Sequence, residues 1–256
     1  LLGQLDARFV AALAVTVTIL SSFAWVFNFL VNGVTAQVGH SLGRQDRSEL
    51  GHQIKLAVLI SVVAGVVTAI ALLLVRRLLF ETVFGASAEL SELARPYYLL
   101  RAAGLPLVLV NLALTGVLRG LQQIKLSLLL NLLVTVVNVV LTALLLFVWK
   151  LDLLGAAIGT VASFAVGAVA GFAWLVMHRR EIGLDARFHF PAQTIKAAFS
   201  DSGNLILRTA SLVCAFAVTT ALATRLGEIP LAAHQIGLQL WLLSSFLIDG
   251  FAITGN

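Results

Sequence analysis

Long apolar runs separated by short polar connections set the pattern of this chain. Seven runs are each long enough to cross a bilayer: roughly 9–38, 53–75, 97–118, 126–149, 153–177, 203–225 and 230–254. In hydrocarbon the backbone finds no water, so each run is predicted to close its hydrogen bonds within itself as a helix. Runs of this length exclude a transmembrane barrel, whose strands need only about 9–11 residues. The predicted fold class is therefore an all-α integral membrane protein with seven transmembrane helices. The longest polar interruption, 178–202, carries His178-Arg179-Arg180-Glu181, Pro191 and an amphipathic spacing of Phe188, Phe190, Ile195 and Phe199. It reads as a linker lying partly on the membrane surface.

Composition agrees with the pattern. Hydrophobic residues make up 60% of the chain and charged residues 11%, against about 25% charged in soluble domains. The mean hydropathy is +1.01. The net charge of +5 is carried in connections and helix ends, so it reports topology and not a nucleic-acid partner. The connections after the first, third and fifth runs hold nine Lys and Arg (Arg44, Arg47, Lys55, Arg119, Lys125, Arg179, Arg180, Arg187, Lys196). The alternate connections hold five: Arg76, Arg77, Arg95, Lys150 and Arg225. The positive-inside rule puts the richer set, with the 178–202 linker, in the cytoplasm. Arg76 and Arg77 are expected to snorkel from a helix end. Cys214 is the sole cysteine; it has no disulfide or metal partner in the chain and reads as a small packing residue.

Leu20-Ser21-Ser22-Phe23 recurs as Leu243-Ser244-Ser245-Phe246, and Leu2-Gly3 as Leu226-Gly227. Chance explains so short a match as well as duplication does, but its place just after the linker favours a repeated unit. The unit would be six helices. The chain begins without Met and stops inside a span-like run. It is therefore expected to be a fragment, helices two to eight of a twelve-helix protein. The domain boundaries are then 1–177 for an N-terminal lobe lacking its first helix, 178–202 for the linker and 203–256 for the start of a C-terminal lobe.

Ionisable groups at bilayer depth cost about 2.5–3.5 kcal/mol on insertion scales, so each is a site candidate. Arg208 and Asp249 lie within the last two runs. Asp249 facing a wet cavity would bind a proton or help hold a sodium ion; the alternative is a structural ion pair with Arg208. Asn131, Thr135, Asn138 and Thr142 share one face of the fourth helix. That stripe either bonds a neighbouring helix or lines a cavity. Gln235 and Gln239 share a face near Trp241, and His234, near the helix start, reads as interfacial, with a proton group as the alternative. Gly155-x-x-x-Gly159 and Gly167-x-x-x-Gly171 predict close helix approach in the fifth run. No phosphate loop, His-Glu-x-x-His or Ser/His/Asp set is present in the sequence; an enzyme is not expected.

The run Ala102 to Leu112 with Gly116-Val117-Leu118-Arg119-Gly120-Leu121-Gln122 resembles the fourth helix of the multidrug and toxic compound extrusion (MATE) transporters. So do Thr35-Ala36-Gln37-Val38-Gly39 with Leu42-Gly43, Gly155-Ala156-Ala157-Ile158-Gly159-Thr160, and Ala232-Ala233-His234-Gln235-Ile236. The last, with Leu240-Trp241 and Asp249-Gly250, is similar to the DinF-like branch. The resemblance covers essentially the whole chain. It implies twelve helices in two six-helix lobes and export of organic, often cationic, compounds against inward H+ or Na+. It implies no cofactor beyond that coupling ion, a small organic substrate and the lipid bilayer as partners, no nucleic acid, a monomer, and the inner (plasma) membrane. Asn138 matches the family's fifth-helix asparagine and Thr160 its sixth-helix threonine, both near the cation site. Where the family often carries an aspartate, this chain has Thr142, which bears no charge. Asp249, Asn138 and Thr160 are thus the candidates for cation coupling. Asn131, Thr142, Gln235, Gln239 and Arg208 are candidates for the substrate cavity. The alternative is a flippase of lipid-linked precursors, which would want a basic cavity.

Overall fold

The computed structural model describes the backbone of residues 7–184 and 203–254. Among the described residues the regular structure is helical: α1 (Ala7–Val26), α2 (Phe29–Gly43), α3 (Arg47–Leu74), α4 (Ala88–Ala103), α5 (Leu105–Gly120), α6 (Ile124–Ala143), α7 (Asp152–Met177), α8 (Gly203–Leu226) and α9 (Glu228–Thr254). Two π-helical turns, Leu78–Val83 and Leu144–Val148, follow α3 and α6. By length and apolarity α3, α6 with its π turn, and α7 each suffice to cross a membrane. The α4–α5 pair makes a fourth if counted as one broken span.

The other expected spans differ in detail. The first breaks at Phe27–Asn28, where Val31 N bonds Asn28 O at 3.1 Å and tightens the turn, so α1 and α2 are separate helices. The third starts earlier than expected, at Ala88, and bends by 42° at Gly104. Pro106 contributes no N–H there. A Cβ on Gly104 would stand 2.6 Å from Val161 Cγ2 of α7, so the bend is seated on that helix. α8 and α9 match the last two runs, with side chains described only in part.

Polar residues start the helices outside the apolar runs. Asp46 accepts from Glu49 N at 3.0 Å to cap α3, and Ser87 accepts from Leu90 N at 3.2 Å to cap α4. Arg76 corrects the snorkelling expectation. It is 8% exposed and turns inward to Ser91 O, Ser91 Oγ and Glu92 Oε1. Three acceptors offset its desolvation better than a lone helix-end charge would. Cys214 is a second correction: it is exposed on α8 and not packed inside. A small side chain on an apolar helix suits the lipid face equally well.

Two apolar clusters hold the bundle. One joins α1 (Val15, Ile19), Leu72, Phe80, Phe84, Tyr98, Ala156, Ala223 and Leu231. Tyr98 anchors it, donating to Leu72 O at 2.8 Å with its ring edge-on to Phe80. The other joins α2, α3, α5, α6 and α7 through Val38, Ile54, Leu114, Leu130 and Leu175, and includes Ile182 beyond α7. Exposed apolar side chains such as Leu128, Leu132, Val136 and Val139 cover the outer face of α6, as lipid contact requires.

The ends of the bundle sort as the Lys/Arg alternation predicts. At one end the turn after α7 sits backbone to backbone on α3. Gly183, at φ +69°, lies so close to Arg47 O, and Gly51 so close to Gly183 O, that a Cβ on either would overlap main chain. At the other end Arg225 of α8 lies over the Thr82–Gly85 turn. Of the expected linker, 185–202 lies outside the described residues.

Candidate functional site

The α6–α7 seam gathers most of the predicted polar residues. Small residues on α7 let α6 close on it. A Cβ on Gly155 would stand 3.0 Å from Leu145 Cβ, and one on Gly159 would stand 2.6 Å from Thr142 Oγ1. Gly171 makes the same room for Leu114 of α5.

Within that seam Asn138 Nδ2 donates to Thr160 Oγ1 at 3.0 Å, and Thr160 Oγ1 donates to Ala156 O at 2.8 Å. The threonine proton is committed to its own helix, so its lone pair is what receives the amide. This fixes which way the Asn138 amide points. Among the described residues its Oδ1 accepts no hydrogen bond. One turn along α6, Thr142 Oγ1 is buried and has no partner. A neutral carbonyl and a hydroxyl remain with unused lone pairs on adjacent turns, a donor set that suits a hard monovalent cation or a polar solute.

The rest of the stripe divides. Asn131 donates to Ser127 O at 2.8 Å and, at 3.4 Å, to Thr115 Oγ1 of α5. Thr135 is exposed and bonds back to Asn131 O at 2.8 Å. One turn before Thr115 on α5, Asn111 holds α7 by donating to Phe164 O at 2.8 Å, while its Oδ1 is buried, unpartnered and pressed on Gly167. Asn111 is a polar core residue within the Ala102 to Leu112 run.

On the C-terminal helices Thr220 donates to Phe216 O at 2.9 Å, so the 3.3 Å approach of His234 Nε2 makes that nitrogen the donor. His234 thus bridges α9 to a fully buried α8 threonine and is half-buried. Gln235 is half-buried with an unpartnered Oε1, whereas Gln239 is exposed. Trp241 packs on Phe216 with ring centroids 5.2 Å apart. Arg208 and Asp249 fall on α8 and α9, but their side chains lie outside the described residues.

Electrostatically the seam is neutral. The described carboxylates stand in connections or near helix starts, and among the described residues no group of three His, Cys, Asp or Glu is placed to hold a metal. Arg101 is the residue that sequence reasoning passed over. It sits in the last turn of α4, near the middle of the bent span, with its Nε buried and unpartnered. The rule that singled out Arg208, a charge inside an apolar run, would have found it. A cavity of about 400 Å³ opens at the basic end, lined by Gln37, His40 and Ser41 of α2 and by Arg44, Asp46, Glu49 and Gln53.

Comparison with known proteins places this arrangement. The MatE family profile matches residues 1–144, more than half of the chain. Protein DETOXIFICATION 43 of Arabidopsis thaliana is 34% identical over 209 residues, 78% of this chain and 38% of that protein. DNA damage-inducible protein F of Escherichia coli (strain K12) is 25% identical over 260 residues, 98% of this chain and 55% of its own length. The solved inward-facing structure of a multidrug resistance MATE family transporter superposes with a TM-score of 0.86 at 22% identity, covering 93% of this chain and 55% of that one. At that identity the likeness is one of fold. The chain spans 32–56% of the length of the curated relatives it matches. A membrane helix bundle on this plan, matched by that profile over its first 144 residues, belongs to the MatE family.

Proposed function

We propose that the full-length protein is a secondary antiporter that exports organic, drug-like compounds in exchange for H+ or Na+. The observation that carries this reading is the Asn138–Thr160 bond across the α6–α7 seam, with the unpartnered Thr142 hydroxyl one turn away. It supports a cation site of neutral oxygens in an N-terminal lobe, residues 1–177. Asp249 and Gln235, in the lobe begun by 203–256, supply the complementary carboxylate and amide; Gln239, Asn131 and Arg208 are the candidates to meet substrate. A preference for cationic substrates rests on Asp249, since the described spans contribute Arg101 and no carboxylate to the interior.

Transport follows by alternating access: substrate binds between the lobes, and the ion must favour one conformation for its gradient to drive the other. The membrane is the plasma membrane on this reading. Two similar proteins of Arabidopsis thaliana are named as chloroplastic, which makes an organelle membrane the alternative. The test is dye export by the full-length protein in inverted vesicles, under a proton gradient and then a sodium gradient. Export that collapses with one gradient identifies the ion; a folded protein that exports under neither defeats the reading.

Arg101 favours one other reading, a flippase of lipid-linked precursors. With Arg208 it gives two basic residues within apolar runs. Accumulation of lipid-linked intermediates on gene deletion, without loss of dye export, would select it.

A further inference from the structure

The geometry points to a gate on the non-cytoplasmic side, formed where the end of α8 closes on the turn between α3 and α4. The inference rests on the transport reading above. Arg225 Nη2 donates to Thr82 O at 3.4 Å, across 143 positions of sequence. Its side chain also lies flat over Gly85: a Cβ there would stand 3.0 Å from Arg225 Cγ and 3.2 Å from Nε. Gly85, at φ +64°, serves both the turn and this approach, because any side chain would lift the arginine away.

Beneath the arginine the seam is apolar. Phe80, Phe84 and Ala86 of the turn share one buried cluster with Ala223 of α8 and Leu231 of α9. α1 packs against both α8 and α9 and completes the seal. The Lys/Arg alternation puts both connections, after α3 and after α8, on the side away from the cytoplasm. A pathway running between the two halves is therefore closed at this end by an apolar plug capped with one charged hydrogen bond. The cap is exposed, so it breaks at small cost, while the plug keeps solvent out until it does. Release to this side requires Arg225 to leave Gly85, and Ala223 and Leu231 to part from Phe80 and Phe84.

The test uses the full-length protein freed of its other cysteines. Gly85→Cys with Arg225→Cys puts Cβ atoms within reach of the roughly 3.5–4.5 Å that a disulfide needs. Oxidation should stop dye export, and reductant should restore it. In a second variant that leaves the turn intact, Ala223→Cys reports opening by its labelling with a membrane-impermeant thiol reagent from outside. Adding Arg225→Ala should raise that labelling rate about five-fold. Failure of the pair to oxidise, export that continues through the oxidised pair, or a labelling rate unmoved by Arg225→Ala would each overturn the gate. Should the unmodified protein export no dye at all, the transport reading fails, and the labelling rates still decide whether this seam opens.

Discussion

A hydroxyl with a committed proton decides which atoms the α6–α7 seam leaves unpartnered. Thr160 donates to its own helix and so orients Asn138 with the amide nitrogen turned to it and the carbonyl free. Thr160→Val should lower apparent affinity for the coupling ion by roughly ten-fold, as loss of an orienting partner does at ion sites. Thr160→Ser should keep it. Export rates measured against ion concentration check this, and an unchanged ion dependence in the valine variant removes the seam from coupling. Asp249→Asn in the same assay should abolish the pH dependence of export; a variant with the parent's profile eliminates that carboxylate. The period of Asn131, Asn138 and Thr142 was readable in the sequence. That Asn131 is spent on α5 and Asn138 on α7 was not, because a helical face does not name its neighbour.

At the scale of elements, close approach explains why α7 is rich in glycine. A methyl on Gly159 would meet Thr142 Oγ1 at 2.6 Å and Thr142 N at 2.9 Å, and neither is the far end of a flexible chain. Gly159→Ala should destabilise the bundle by about 1–3 kcal/mol through overpacking. Thermal unfolding in detergent would read this as a lower midpoint, and an unchanged midpoint would show that α6 slides freely. The glycine spacing forecast this contact; the breaks in two other spans it did not. Apolar composition resumes on both sides of Asn28 and of Arg101–Gly104, and lipid solubility alone does not distinguish a straight helix from a bent one. The bend at Gly104 depends on Val161 of another helix, a contact distant in sequence.

Across the whole molecule, two long-range contacts fix which connections share an end. Gly183 meets Arg47 and Gly51, and Arg225 meets Thr82 and Gly85. Single cysteines at Gln45 and Ser87 should therefore label from opposite sides of the membrane, Gln45 from the cytoplasm. Labelling of both by an impermeant reagent in intact cells would contradict the orientation. One end of the bundle is closed by an apolar cluster, and at the other a polar cavity lies between α2 and the start of α3, beside Gln37 and Glu49.

The sequence by itself determined the solvent and the helices, and its Lys/Arg bias proposes their direction. Apolar runs longer than a bilayer's hydrocarbon thickness permit little else, and the Lys/Arg bias is a local property of connections. The motif order determined the family. Tertiary structure decided what sequence spacing does not encode. Arg76 is buried because Ser91 and Glu92 fold onto it. Thr142 is left without a partner because Gly159 makes room but offers no donor. Arg225 caps a seam because α8 returns to the α3–α4 turn. In each case the side chain's role is set by a neighbour far away in the chain, and only packing brings that neighbour within range.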